Sequence, residues 1–110
     1  KPVVAMLSFS NFGSAPHEHA QKVRDAVKMV HEQDPDLPID GEMQVNVALD
    51  VDFRKEHYPF SLLKDKKPNV FIFPNLESGN IAYKMLDNMA GAVTIGPVLL
   101  GMDQPVNILQ

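Results

Sequence analysis

Apolar side chains fall along this chain in two rhythms, and the switches between them mark out the elements. Residues 3–9, "VVAMLSF", are nearly continuous in apolar character, which predicts a strand buried on both faces of a parallel sheet. A polar loop, "SNFGSAP", follows, with Ser14 placed to cap the next helix and Pro16 and Glu18 suited to its first turn. Over residues 17–33 the apolar positions Ala20, Val23, Ala26, Val27 and Val30 recur by threes and fours. That spacing lays one apolar stripe along a helix and leaves Gln21, Lys22, Arg24, Asp25, Lys28 and Glu32 outside. "DPDLP" ends it, because a residue before proline is pushed out of the helical region.

The rhythm then changes. Residues 39–45, "IDGEMQV", alternate apolar and polar, as a half-exposed strand does. "NVALDVDFRKEHYPF" reads as a short helix and then a loop. Residues 69–74, "NVFIFP", predict a second buried strand, and residues 78–89 a second helix with Ile81, Ala82, Met85, Leu86 and Met89 on one side. "AVTIGP", residues 92–97, predicts a third buried strand, and "PVNIL", residues 105–109, an edge strand. This order describes a single domain over residues 1–110, an α/β fold with three α/β/α layers around a mainly parallel sheet.

Composition narrows the classes open to it. A chain of 110 residues holds one small domain, and 45% hydrophobic with 22% charged residues is ordinary for a globular protein. The net charge of −4 and dispersed Lys and Arg provide no basic stripe, which argues against a nucleic-acid partner. Lys64, Lys66 and Lys67, interrupted by Asp65, read as a solvated turn. Without cysteine there is no disulfide, no thiolate chemistry and no cysteine-ligated zinc, which fits a reducing, cytoplasmic setting. The apolar stretch at residues 90–102 is broken by Gly91, Gly96, Pro97 and Gly101, and a bilayer span needs about 20 apolar residues, so no membrane association is expected. The chain opens at Lys1 directly before a strand and stops at Gln110, which reads as a piece of a longer protein.

Two strand-to-helix turns could carry chemistry: "SNFGS" at residues 10–14 and "NLESGN" at residues 75–80. Each places glycine, hydroxyl and amide groups at a helix N-terminus, where unpaired N–H groups and the positive dipole end favour phosphate or carboxylate. Both fall at the carboxyl ends of strands, where open α/β sheets bind ligands. The same residues also suit plain structural duty, Ser14 and Ser78 as caps and Gly13 and Gly79 as relief for tight turns. Neither turn matches the glycine-rich nucleotide patterns. His17 and His19, two apart on a helix, point to different faces, so no metal site is expected. His31 suits a helix end, His57 has no visible partner, and no nucleophilic triad can be read, so no catalytic residue is assigned. The six methionines suit core packing.

"FIFPNLESGNIAYKML" followed by "TIGPVLLGMDQPVNIL" resembles the paired signatures of the phosphotransacetylase (phosphate acetyltransferase) family. "MLSFSNFGSA" and "KVRDAVKMVHEQDPDLPIDGEMQ" extend the resemblance over essentially all of the chain. It implies the inserted second domain of that fold, of the isocitrate/isopropylmalate dehydrogenase type. The wording of "LSFSNFGS", "YPFS" and "FPNLESGNIAYK" is similar to the phosphotransacetylase-like C-terminal region of the large bacterial malic enzymes. In those proteins a separate N-terminal domain oxidatively decarboxylates malate to pyruvate with NADP or NAD and a divalent metal, Mg or Mn. The resemblance implies that this region serves homo-oligomeric assembly and senses acetyl-coenzyme A. Two departures from the acetyl-transferring pattern fit such a role. Gln110 stands where the family has the serine of its acetyl-transfer site, and Asn88 where it has an arginine. Acetyl transfer relies on cations to offset developing negative charge.

The resemblance therefore implies a ligand cleft for acetyl-coenzyme A or an anion without turnover. Its residues would be Ser10, Asn11, Gly13 and Ser14 in one turn and Asn75, Ser78, Gly79 and Asn80 in the other, with Tyr83 and Lys84 one turn into the helix. A fragment of a working phosphate acetyltransferase and a purely structural assembly module are the alternatives.

Overall fold

A computed structural model describes residues 1–96 together with 98, 99, 106 and 107. Lys1–Gly79 is one compact unit. Its three strands, β1 (Val4–Leu7), β2 (Ile39–Met43) and β3 (Val70–Ile72), form a parallel sheet in the order β2-β1-β3. The central strand pairs Val4 with Ile39 on one side and with Val70 on the other. The helices are α1 (Glu18–Gln33), α2 (Val45–Leu49), α3 (Val51–His57) and α4 (Leu76–Met89).

Alternation along β1 divides its side chains between two faces. Ala5 and Leu7 join Met43, Val47, Ala48 and Leu63 in one buried cluster, ringed by Val3, Phe12, Tyr58, Phe71 and Phe73. The buried stripe of α1, namely Ala20, Val23 and Val27, lies outside that cluster, and α1 packs on β1 and β2. Helix α1 therefore covers one face of the sheet, and α2 with the segment through Leu63 covers the other. The expected α/β fold around a parallel sheet is what forms.

Several local expectations are corrected. Strand β2 is buried along its whole length, although its sequence alternates. Its polar residues go inward because each meets partners there. Asp40 Oδ2 accepts from the Ser61 hydroxyl and the Leu62 N–H, both at 2.8 Å, and Glu42 is held by Arg24. Strand β3 is an edge strand of this sheet rather than a doubly buried one: Phe71 packs on the core while Val70 and Ile72 stay exposed. The stretch after β2 forms two helices, because Asp50 closes α2 and its side chain then accepts from the Phe53 N–H to cap α3. Helix α1 is capped by His17, whose Nδ1 accepts from the His19 N–H at 3.0 Å, and not by Ser14.

The β1–β2 register slips between Met6 and Leu7. Gly41 sits opposite with φ +147°, and a Cβ there would meet the Met6 carbonyl oxygen and stand 2.8 Å from Met6 Cβ. Only glycine allows the two strands this approach.

Asn80–Gln110 is a second compact unit. It holds most of α4, whose apolar positions Ile81, Met85, Leu86 and Met89 are exposed. A short antiparallel pair joins β4 (Val98–Leu99) to β5 (Val106–Asn107). The third buried strand expected at residues 92–97 does not form over 92–96, where Val93 and Ile95 are 87% and 90% exposed. Left-handed glycines, Gly91 at φ +68° and Gly96 at φ +117°, bend the chain at both ends of that run. Residue 97 and most of the edge strand expected at 105–109 lie outside the described residues. Among the described residues no helix is long and apolar enough to cross a membrane.

Candidate ligand-binding turns

Strands β1 and β3 are parallel neighbours, so the turns that leave their carboxyl ends open at one edge of the sheet. Lys22 on α1 donates from Nζ to the Pro74 carbonyl at 2.8 Å, which ties the helix after the first turn to the start of the second.

The first turn is knotted by its own polar groups. Ser10 is 1% exposed, and its Oγ accepts from the Ala15 N–H at 3.0 Å and lies 3.2 Å from Ser14 Oγ. Ser14 Oγ accepts from the Asn11 N–H at 3.0 Å, while the Ser14 N–H donates to the Asn11 carbonyl. Asn11 Oδ1 accepts from the Gln44 N–H at 2.7 Å, and Gln44 Nε2 donates to the Phe9 carbonyl. Phe12 and Gly13 take consecutive left-handed conformations, φ +46° and +85°. Asn11 is half-buried, and Gly13 and Ser14 are exposed on the outer rim.

Beneath this turn lies a carboxylate that sequence reasoning missed. Glu42 is fully buried, and Arg24 grips it with a two-pronged fork, Nε to Oε1 and Nη2 to Oε2, both 2.8 Å. Burial pushes the Glu42 pKa up, but the Arg24 hydrogen bonds, then those of the Ser10 hydroxyl and Gly13 N–H, outweigh it and draw the group below its ordinary value. The alternating pattern put Glu42 on the polar, outer side of its strand, and Arg24 read as an outer-face residue of its helix. Its guanidinium instead lies under Gly13, where an added Cβ would come 3.6 Å from Arg24 Cζ.

The second turn is simpler. Asn75 caps α4, its Oδ1 accepting from the Ser78 N–H at 2.8 Å, so the helix starts two residues earlier than the periodicity implied. Ser78 is therefore not the cap; its hydroxyl donates back to the Asn75 carbonyl at 3.1 Å. Gly79 packs close to the Phe73 ring, with its N–H on the Asn75 carbonyl. The first-turn residues and Asn75, Ser78 and Gly79 all belong to the unit Lys1–Gly79. Asn80, Tyr83 and Lys84 belong to the other unit, Asn80 and Lys84 exposed and Tyr83 half-buried, with Lys84 Nζ 5.0 Å from the Tyr83 ring centre. Asn88 Nδ2 donates to the Lys84 carbonyl at 2.8 Å. Among the described residues no three His, Asp or Glu side chains gather as a metal site requires.

The fold is thus an α/β domain with a parallel sheet and two polar helix-opening turns at one strand-end edge. The chain belongs to the phosphate acetyl/butaryl transferase family, which matches it over residues 1–110. It is 45% identical to the phosphate acetyltransferase of Paracoccus denitrificans over 109 residues, covering 99% of this chain and 34% of that protein. It is 43% identical to the NADP-dependent malic enzyme of Salmonella typhimurium over 110 residues, covering 99% of this chain and 14% of that protein. The crystal structure of a phosphotransacetylase from Streptococcus pyogenes superposes with a TM-score of 0.90 at 39% identity, over 99% of this chain and 33% of that one. The chain thus spans about a third of the length of the Paracoccus denitrificans transferase and a smaller share of the malic enzyme, and the family region it represents occurs in both kinds of protein.

Proposed function

We propose that this chain is a binding module for acetyl-coenzyme A or a related coenzyme A ester, and that it transfers no acetyl group itself. The observation that carries the reading is the pair of polar turns at the carboxyl ends of adjacent parallel strands. Asn75 and its carbonyl take up the Ser78 and Gly79 N–H groups, which among the described residues leaves those of Leu76 and Glu77 as the donors an anion would take at the start of α4. Gly13 and Ser14 would meet the ligand from the other side.

Absence of turnover is supported by two positions. Asn88 is neutral, and its amide is turned onto a main-chain carbonyl of its own helix. Gln110 has no hydroxyl where the family's acetyl-transfer serine stands. The parent protein in this reading is a homo-oligomeric, cytoplasmic malic enzyme, in which the present region senses the effector and helps assembly. The oxidative decarboxylation would be performed elsewhere, with NADP and a divalent metal.

Identity does not separate this parent from the alternative, because 45% to a transferase and 43% to a malic enzyme are too close to decide. The second reading is therefore a fragment of an active phosphate acetyltransferase. Incubating the full-length parent protein with acetyl-coenzyme A and phosphate separates them. The first reading expects no acetyl phosphate above the uncatalysed background, and sustained formation by the parent would establish the second.

A further inference from the structure

The first turn holds a shape that its own residues do not favour. Phe12 carries a Cβ in a left-handed conformation, a placement uncommon outside glycine, asparagine and aspartate. Strand β2 supplies the restraint. The Phe12 N–H donates to the Glu42 carbonyl at 2.8 Å, and the next residue but one, Gln44, clamps Asn11 and Phe9. The Glu42 side chain is 0% exposed, with Arg24 forked upon it and the Arg24 guanidinium lying under Gly13. Gln21 Oε1 holds the third arm of that guanidinium at 2.6 Å. A charged carboxylate in a dry site is strongly directive, because every donor within reach must turn toward it.

We propose that Glu42 is the positioning residue of the first turn: its buried charge, fixed by the Arg24 fork, holds Ser10 and Gly13 in the shape that meets the ligand. The inference rests on the coenzyme A ester reading for the identity of that ligand, and on the turn's geometry for the rest. Glu42 touches no ligand in this scheme. Arg24 is the charged group facing it from α1, with Asp25 beside Arg24. Strand β1 (Val4–Leu7) and helix α2 (Val45–Leu49) contain no titratable residue. Because the folded-state pKa of Glu42 is lowered, the charge supports the turn fully above the ordinary value of 4.5 and is lost as pH falls through the lower folded value.

The test is a pair of measurements on the 110-residue chain. Amide spectra followed from about pH 7 to about pH 3 should show the Phe12 and Gly13 resonances moving together, with a midpoint below the usual carboxylate range. In Glu42→Gln that movement should disappear, and titration with acetyl-coenzyme A near neutral pH should show affinity weakened by about tenfold, a loss matching one charge-assisted hydrogen bond. Resonances of Phe12 and Gly13 that ignore the carboxylate titration would overturn the proposal, as would undiminished binding by a folded Glu42→Gln. Should that variant not fold, Arg24→Gln replaces it, and must shift the same two resonances and their midpoint. A wild-type chain that does not bind acetyl-coenzyme A removes the ligand reading, while the amide titration still decides the role of Glu42.

Discussion

Among the described residues Arg54 is the largest fully buried side chain and meets no carboxylate in a salt bridge. Its guanidinium is caged by main-chain carbonyls. Nη1 donates to Val47 and Ala48 at 3.3 and 3.0 Å, and Nη2 to Lys64 and Lys66 at 3.4 and 2.6 Å. Nε is buried without a partner. Burial pushes the Arg54 pKa down, and the charge of Asp40 pushes it partly back. The cage pins residues 64–66 to the end of α2, the helix that follows Gln44 and so backs the first turn. Arg54→Met keeps most of the volume and removes the donors. Hydrogen bonds from a charged group contribute roughly 1.5–3 kcal/mol each, so the two shorter ones amount to about 3–6 kcal/mol. Relief from burying an uncompensated cation returns part of that, leaving a net loss of about 2–4 kcal/mol. With a urea m-value of about 2 kcal/mol/M, the unfolding midpoint should fall by roughly 1–2 M with the slope unchanged. A variant within about 0.5 kcal/mol of wild type would refute the reasoning, since the four carbonyls would then be satisfied without the arginine.

Gly41→Ala should be severely destabilising, by about 2–5 kcal/mol, from positive-φ strain together with the clash on the Met6 carbonyl. Thermal unfolding measures it, and a change under about 1 kcal/mol would mean that the strands can part at the register slip at little cost. Asn75→Ala should cost about 1 kcal/mol as the loss of a helix cap, while Ser78→Ala costs less because its hydroxyl only bonds back to the carbonyl of Asn75. Equal losses in the two variants would show that the cap has been assigned to the wrong residue.

Much of the fold was legible where hydrophobic rhythm and local chemistry agree. The near-continuous run of β1 marks a central parallel strand, and the stripe Ala20, Val23, Val27 marks the buried side of α1. What failed depended on partners distant in sequence. Asp40 and Glu42 read as outward because nothing near them announces Ser61 or Arg24, 21 and 18 residues away. Both caps were displaced for a similar reason. Ser14 spends its hydroxyl inside the turn, which leaves His17 to cap α1, and Asn75 reaches α4 before Ser78 can. Strand β3 read as doubly buried from its composition, but burial depends on what lies beside a strand, and among the described residues only β1 does. At the candidate site the two turns were legible as helix openings at strand ends. Their floor, Glu42 with Arg24, was visible only once the sheet brought β2 and α1 together.

The most direct measurement is an isothermal titration of acetyl-coenzyme A into this chain, with inorganic phosphate as the control ligand. Saturable binding tighter than about 1 mM, roughly 4 kcal/mol, is expected, and weakened binding in Ser78→Ala and Asn80→Ala would assign it to the second turn. The absence of saturable heat at millimolar acetyl-coenzyme A would contradict the binding-module reading and leave the turns as helix caps in an assembly element.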